Sequence, residues 1–123
     1  MTRPPQPTPA VDDADVDRIV RRDYDAGLVD EILALIAATE VREKTRVVLA
    51  CLKVANGNLD KLRGELSNAG GYYREILGEA EYPLATKRWF RIESLSDDEV
   101  RAIYEKDWRQ YAEWLGRPNL VPD

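Results

Sequence analysis

The sequence predicts an all-α fold, a small array of four to five helices around a central antiparallel helical hairpin. Three observations predict it. Val41, Thr45, Val48, Leu52 and Ala55 recur at alternating spacings of four and three, and the same rhythm runs through Leu59, Leu62, Leu66, Ala69, Tyr73 and Ile76. Each set draws one mostly apolar stripe along a helix. Between them stands Asn56-Gly57, a short turn that favours antiparallel neighbours. Stripes of that length must be covered, by each other or by a shared partner.

Residues 1–10 contain Pro4, Pro5, Pro7 and Pro9 and almost nothing to bury, the pattern of a flexible, polyproline-like tail. Residues 11–117 read as a single helical domain, in keeping with the usual size of about 100–150 residues, and 118–123 as a loose C-terminal tail. In the first helix Asp13 or Asp15 serves as cap, Val16, Ile19 and Val20 share a face, and the helix runs to about Arg22. Residues 23–27 form a turn. A second helix over 28–38 aligns Val29, Ile32, Leu33 and Ile36. Carried forward in helical steps, that face arrives at the charged Glu40 and Glu43, whereas the apolar face resumes at Val41. The phase break favours a turn at 38–40, with Thr39 capping the next helix, over one long helix through Ala55.

The third helix has an unusually wide apolar face, Val47, Val48, Leu49, Cys51, Leu52 and Val54, as a central helix touched from two sides should. A short β-strand competes for 46–52, but Arg42, Glu43, Arg46 and Lys53 recur at helical spacing. Asn58 caps the fourth helix, with Asp60 in its first turn. That helix crosses Ser67-Asn68-Ala69-Gly70-Gly71, a weak spot for helix propensity, without losing phase, so it reads as one bent helix. The two glycines there let a neighbouring backbone come close or leave room for a ligand. Pro83 closes the helix near Tyr82. Residues 84–94 read as a long connection, an extended segment or a single turn, whose Trp89 and Phe90 tuck it onto the bundle. Ser96 and Glu99 form a capping box before the last helix, with Leu95 and Val100 in staple positions. Val100, Tyr104, Trp108, Tyr111 and Leu115 make its face, Ile103 and Trp114 widen it, and Gly116 and Pro118 stop it.

Composition narrows the chemistry. The absence of histidine removes the commonest general base and metal ligand and every histidine-containing triad. Cys51 is the only cysteine and sits in an apolar run, so it reads as a small buried hydrophobe. No glycine fingerprint, phosphate loop, calcium loop or nucleophile elbow occurs. Glu75 and Glu79 lie four apart on a helix but make an incomplete site, and Asp12, Asp13, Asp15 and Asp17 suit capping and solvation better than a metal loop. No catalytic residue, metal or cofactor is therefore expected. No apolar run approaches a membrane span or a signal peptide, which points to a soluble, cytoplasmic protein without membrane association. The net charge of −5 disfavours nucleic acid, although residues 39–93 hold ten bases against eight acids.

Three candidate interaction surfaces remain. Asn68, Tyr72 and Arg74 combine residue types that anchor protein partners or hold anions. Lys87, Arg88, Trp89 and Arg91 mix bases with rings, as stacking and phosphate-binding surfaces do. Tyr104, Trp108, Tyr111 and Trp114 put much aromatic area on one helix, which suits a homodimer. The reading favoured by the sequence is a non-catalytic helical protein-interaction or regulatory module, with a protein partner or a second copy of itself. The alternatives are a nucleic-acid-associated protein using residues 87–91, or a small enzyme acting through carboxylates and tyrosine.

Overall fold

The computed structural model describes residues 6–117, and of Trp89 and Phe90 the backbone alone. All regular structure among the described residues is helical: α1 (Asp13–Asp23), a 3₁₀ turn (Ala26–Leu28), α2 (Val29–Ala38), α3 (Lys44–Ala55), α4 (Leu59–Glu81), α5 (Pro83–Lys87), α6 (Trp89–Ile92) and α7 (Asp97–Leu115). The chain divides into two compact units, residues 11–80 and residues 81–117 with the segment through Ala10.

In the first unit the cap of α1 is neither Asp13 nor Asp15, the predicted ones, but the residue before them. Asp12 is the N-cap: its Oδ1 accepts from the Asp15 amide at 3.0 Å, and Asp15 Oδ2 accepts from the Asp12 amide at 3.1 Å. This reciprocal box satisfies two amides that the first turn would otherwise leave bare. Asp15 is buried, and Arg18 Nη2 donates to its other oxygen at 2.8 Å. Val16, Ile19 and Val20 point inward.

The break between α2 and α3 is real but longer than the sequence suggests. Thr39 does not cap α3. Its hydroxyl turns back and donates to the Leu35 carbonyl at 2.9 Å, closing α2 instead. The cap position of α3 falls to Glu43, held left-handed at φ 47°, with its carboxylate 3.0 Å from Arg46. From Val47 to Leu52 every residue of α3 is buried, the signature of a helix inside a core. Its closest backbone neighbour is α1, which also packs against α2. The antiparallel pairing of α3 with α4, expected from the short turn, is not established; α4 is tied to α2 by Arg63, 3.0 Å from Glu31.

Asn56 (φ 50°) and Gly57 (φ 83°) both take left-handed conformations to end α3, and Asn58 Oδ1 then accepts from the Lys61 amide at 2.9 Å. α4 runs in phase through its glycines, with Leu62, Leu66, Ala69, Ile76, Leu77 and Ala80 buried, but bends at Tyr72 (φ −121°, ψ 28°). Gly70 and Gly71 are exposed, and a Cβ built on either would meet nothing within 4 Å. They are therefore neither a close-packing point nor part of an enclosed cavity. A glycine pair weakens the helix just ahead of the bend.

α4 stops at Glu81, ahead of Pro83 as the sequence predicts, and in the second unit Pro83 then starts a further helix. It occupies the first turn of α5, where a missing N–H costs nothing. The connection at 84–94, expected as an extended segment or a single turn, contains two short helices, α5 and α6. Tyr82, Ala85 and Ile103 form a cluster with Leu84, Ile92, Leu95 and Tyr104 packed around it, and the Tyr82 and Tyr104 rings meet edge-on at 6.5 Å. α7 has the predicted box, with the Glu99 amide donating to Ser96 Oγ at 3.1 Å, and Gly116 (φ 78°) closes it. Pro9 is buried, and Arg117 Nη1 donates to the Ala10 carbonyl at 3.1 Å, so the inner end of the proline-rich segment is held. Residues 118–123 lie outside the described ones.

Candidate functional site

The bend in α4 presents the most distinctive surface of the first unit. Tyr72, the residue with non-helical torsions, is 61% exposed, and Asn68, Gly70, Gly71 and Arg74 around it are exposed too. Tyr73 turns the other way and is half-buried. Arg74 Nε donates to its hydroxyl at 3.2 Å, while the Arg74 guanidinium carbon lies 5.7 Å from the Tyr73 ring centroid. Hydrogen bonding from Arg74, and after it from Arg42, holds the Tyr73 phenol below its ordinary pKa against the opposing cost of burial. Arg42 comes from the 39–43 connection, next to the left-handed Glu43. A non-glycine residue in that region is strained and needs its surroundings to hold it. Arg74, singled out from sequence, is thus joined through Tyr73 to the charge of an arginine that no spacing argument could have brought there, while Tyr72 stands exposed beside them.

A second feature of this unit is a cleft of about 370 Å³ between α1, α2 and α3. Val16, Leu33, Ile36 and Val48 line its apolar part. Its polar rim is occupied internally. Thr45 Oγ1 donates to Asp13 at 3.0 Å, Arg21 pairs with Asp17 at 2.9 Å, and Lys44 Nζ donates to the Ala37 carbonyl at 3.3 Å. The clustered aspartates are thereby each accounted for. Among the described residues no group of three or more carboxylates and thiols is placed to hold a metal ion. Glu75 and Glu79 are exposed and line neither this cleft nor the one below.

In the second unit Lys87, Arg88 and Arg91 are exposed on α5 and α6, and the Trp89 side chain lies outside the described ones. The aromatic residues of α7 separate. Tyr111 is interior at 1% exposure, its ring 5.6 Å from that of Trp114, whereas Tyr104, Trp108 and Trp114 are half-buried. The inward stripe of α7 runs through Val100, Ile103, Asp107, Tyr111 and Leu115. It is rotated from the one read through Tyr104 and Trp108. Asp107 can lie inside because its two oxygens accept from the amides of Leu84 (2.9 Å) and Ala85 (3.0 Å), capping α5 from another helix. A charged residue in step with Ile103 and Tyr111 was the signal for this. Beside it a cleft of about 250 Å³ opens between Leu84, Arg88, Leu95 and one face of α7.

Cys51 is fully buried, and burial, with the Glu65 charge adding to it, pushes its thiol up to about 12. The thiol is therefore held in its protonated form at neutral pH. No helix among the described residues is long and apolar enough to cross a membrane. No protein-family model matches the chain, and neither a curated protein nor a solved structure matches it.

Proposed function

We propose that this chain is a non-catalytic helical interaction module that engages a protein partner through the bent face of α4. The observation that carries the reading is Tyr72: a large aromatic, 61% exposed, at the single bent residue of a long helix, flanked by Arg74 and by the bare backbone of Gly70 and Gly71. Tyrosine and arginine dominate binding energy in protein interfaces, and glycines beside them let a partner's backbone come near. Arg74, which donates to the Tyr73 hydroxyl at 3.2 Å, is tethered beside Tyr72 before binding, which lowers the ordering cost of association. A cytoplasmic location suits such a module. Nucleic acid fits less well, because the chain is acidic overall.

The test compares the intact protein with Tyr72→Ser and Arg74→Glu as baits, after circular dichroism shows unchanged helicity and melting temperature. A protein retained by the wild type and lost by both variants supports the reading. Identical captured sets would refute it. Light scattering on the same samples identifies a second copy of the chain as the partner if the wild type is dimeric and the variants are not.

A further inference from the structure

The cleft of the second unit has an apolar floor and a charged lip. Leu84, Leu95 and Ile103 make the floor; Arg88, Glu99 and Lys106 stand at the edge. One Glu99 oxygen accepts from the Ser96 amide at 3.3 Å and from Ser96 Oγ at 3.0 Å in the α7 capping box, which fixes the carboxylate in place while it keeps its charge. Of the other carboxylates on α7, Asp107 is wholly buried and turned to the amides of α5, while Asp98 and Glu105 pair with Arg101 and Arg109. Arg88 and Lys106 make no ion pair among the described residues, although acidic residues outnumber basic ones in the chain. The lip thus carries two cations against one carboxylate, beside aliphatic side chains.

We propose that this cleft binds a small free organic acid with a compact apolar body, such as a short- to medium-chain carboxylate. The planar guanidinium of Arg88 suits two-point recognition of a carboxylate, and Lys106 adds a point charge. The hydrocarbon part lies on Leu84, Leu95 and Ile103, where leaving water is favourable. At about 250 Å³ the cleft is smaller than the roughly 300–1,000 Å³ of drug-sized sites, so it admits a ligand of a few carbons and not a nucleotide or a helix. The inference is independent of the α4 surface.

The experiment titrates the intact ¹⁵N-labelled protein with hexanoate, and in parallel with 1-hexanol and an acetylated tripeptide ending in leucine. Hexanoate should give saturable amide shifts centred on residues 84–88 and 99–106, with a Kd on the order of 1 mM. Removing both charges with Arg88→Gln and Lys106→Gln should weaken it by about tenfold or more. Ala102→Trp, an exposed position on the wall, should fill the cleft and abolish the shifts. Raising the salt concentration tests the same charges without any substitution and should weaken hexanoate binding. Hexanol binding as tightly as hexanoate, unchanged affinity in the double variant, or shifts centred elsewhere would each overturn the proposal. Tighter binding of the tripeptide would overturn the assignment to a free acid.

Discussion

Burial at single residues sets how this protein responds to alkali. The Cys51 thiol, which ionises near 9.0 when exposed, keeps its proton to about 12 in the core, and burial also raises the Tyr24 phenol. Between those pH values the unfolded chain binds fewer protons than the folded one, so stability falls as pH rises above about 9. Urea unfolding across pH 7 to 11 should show a midpoint that drops in this window, and Cys51→Ala should flatten the drop relative to its own value at pH 7. The thiol of the folded protein should react with a disulfide reagent only as fast as the core opens. Glycines divide in the same way by local geometry. Gly57, at φ 83° and with the Asp23 carbonyl 3.2 Å from where a Cβ would stand, should lose about 1–2 kcal/mol on substitution by alanine. Gly70→Ala and Gly71→Ala meet open space and should each gain up to about 1 kcal/mol in helix propensity. Thermal melts of the three variants check both signs.

Among the elements, α5 depends on a distant side chain more than on its own sequence. Five residues are too few to form a helix unaided, and Asp107 supplies acceptors for the Leu84 and Ala85 amides. Asp107→Ala should cost about 2–4 kcal/mol by leaving buried amides without partners, with hydrogen exchange at 84 and 85 accelerated beyond that elsewhere in the unit. Ser96→Ala should cost about 1 kcal/mol through the capping box alone. The difference in size explains what was legible. The Ser96–Glu99 box, the Asn58 cap and the Gly116 stop are local chemistry, readable from residues three or four apart. Thr39 was misread because its hydroxyl could cap forwards or close backwards, and only the left-handed turn at Glu43 decides between them. On α7 the stripes through Tyr104 and Trp108 and through Ile103 and Asp107 are adjacent on the helix. Hydrophobicity favours the first; the pairing of Asp107 with α5 selects the second.

For the molecule as a whole, the two candidate surfaces belong to separate compact units and share no residue. Substitutions that share no partners usually act additively. Tyr72→Ser should therefore leave hexanoate affinity unchanged, and the Arg88→Gln, Lys106→Gln pair should leave partner capture unchanged. Calorimetric titrations on both variants test that independence. The sequence by itself determined the helical class, the caps at Asn58 and Ser96, the stop at Gly116, the buried cysteine and the exclusion of histidine chemistry, because each depends on residue type or on a period spanning a few residues. Only the tertiary structure decided which face of α7 turns inward, that Arg42 reaches Tyr73, and that Arg88 and Lys106 overhang one apolar floor. Those outcomes turn on which helices meet, and residues far apart in the chain come together only when packing brings their helices into contact.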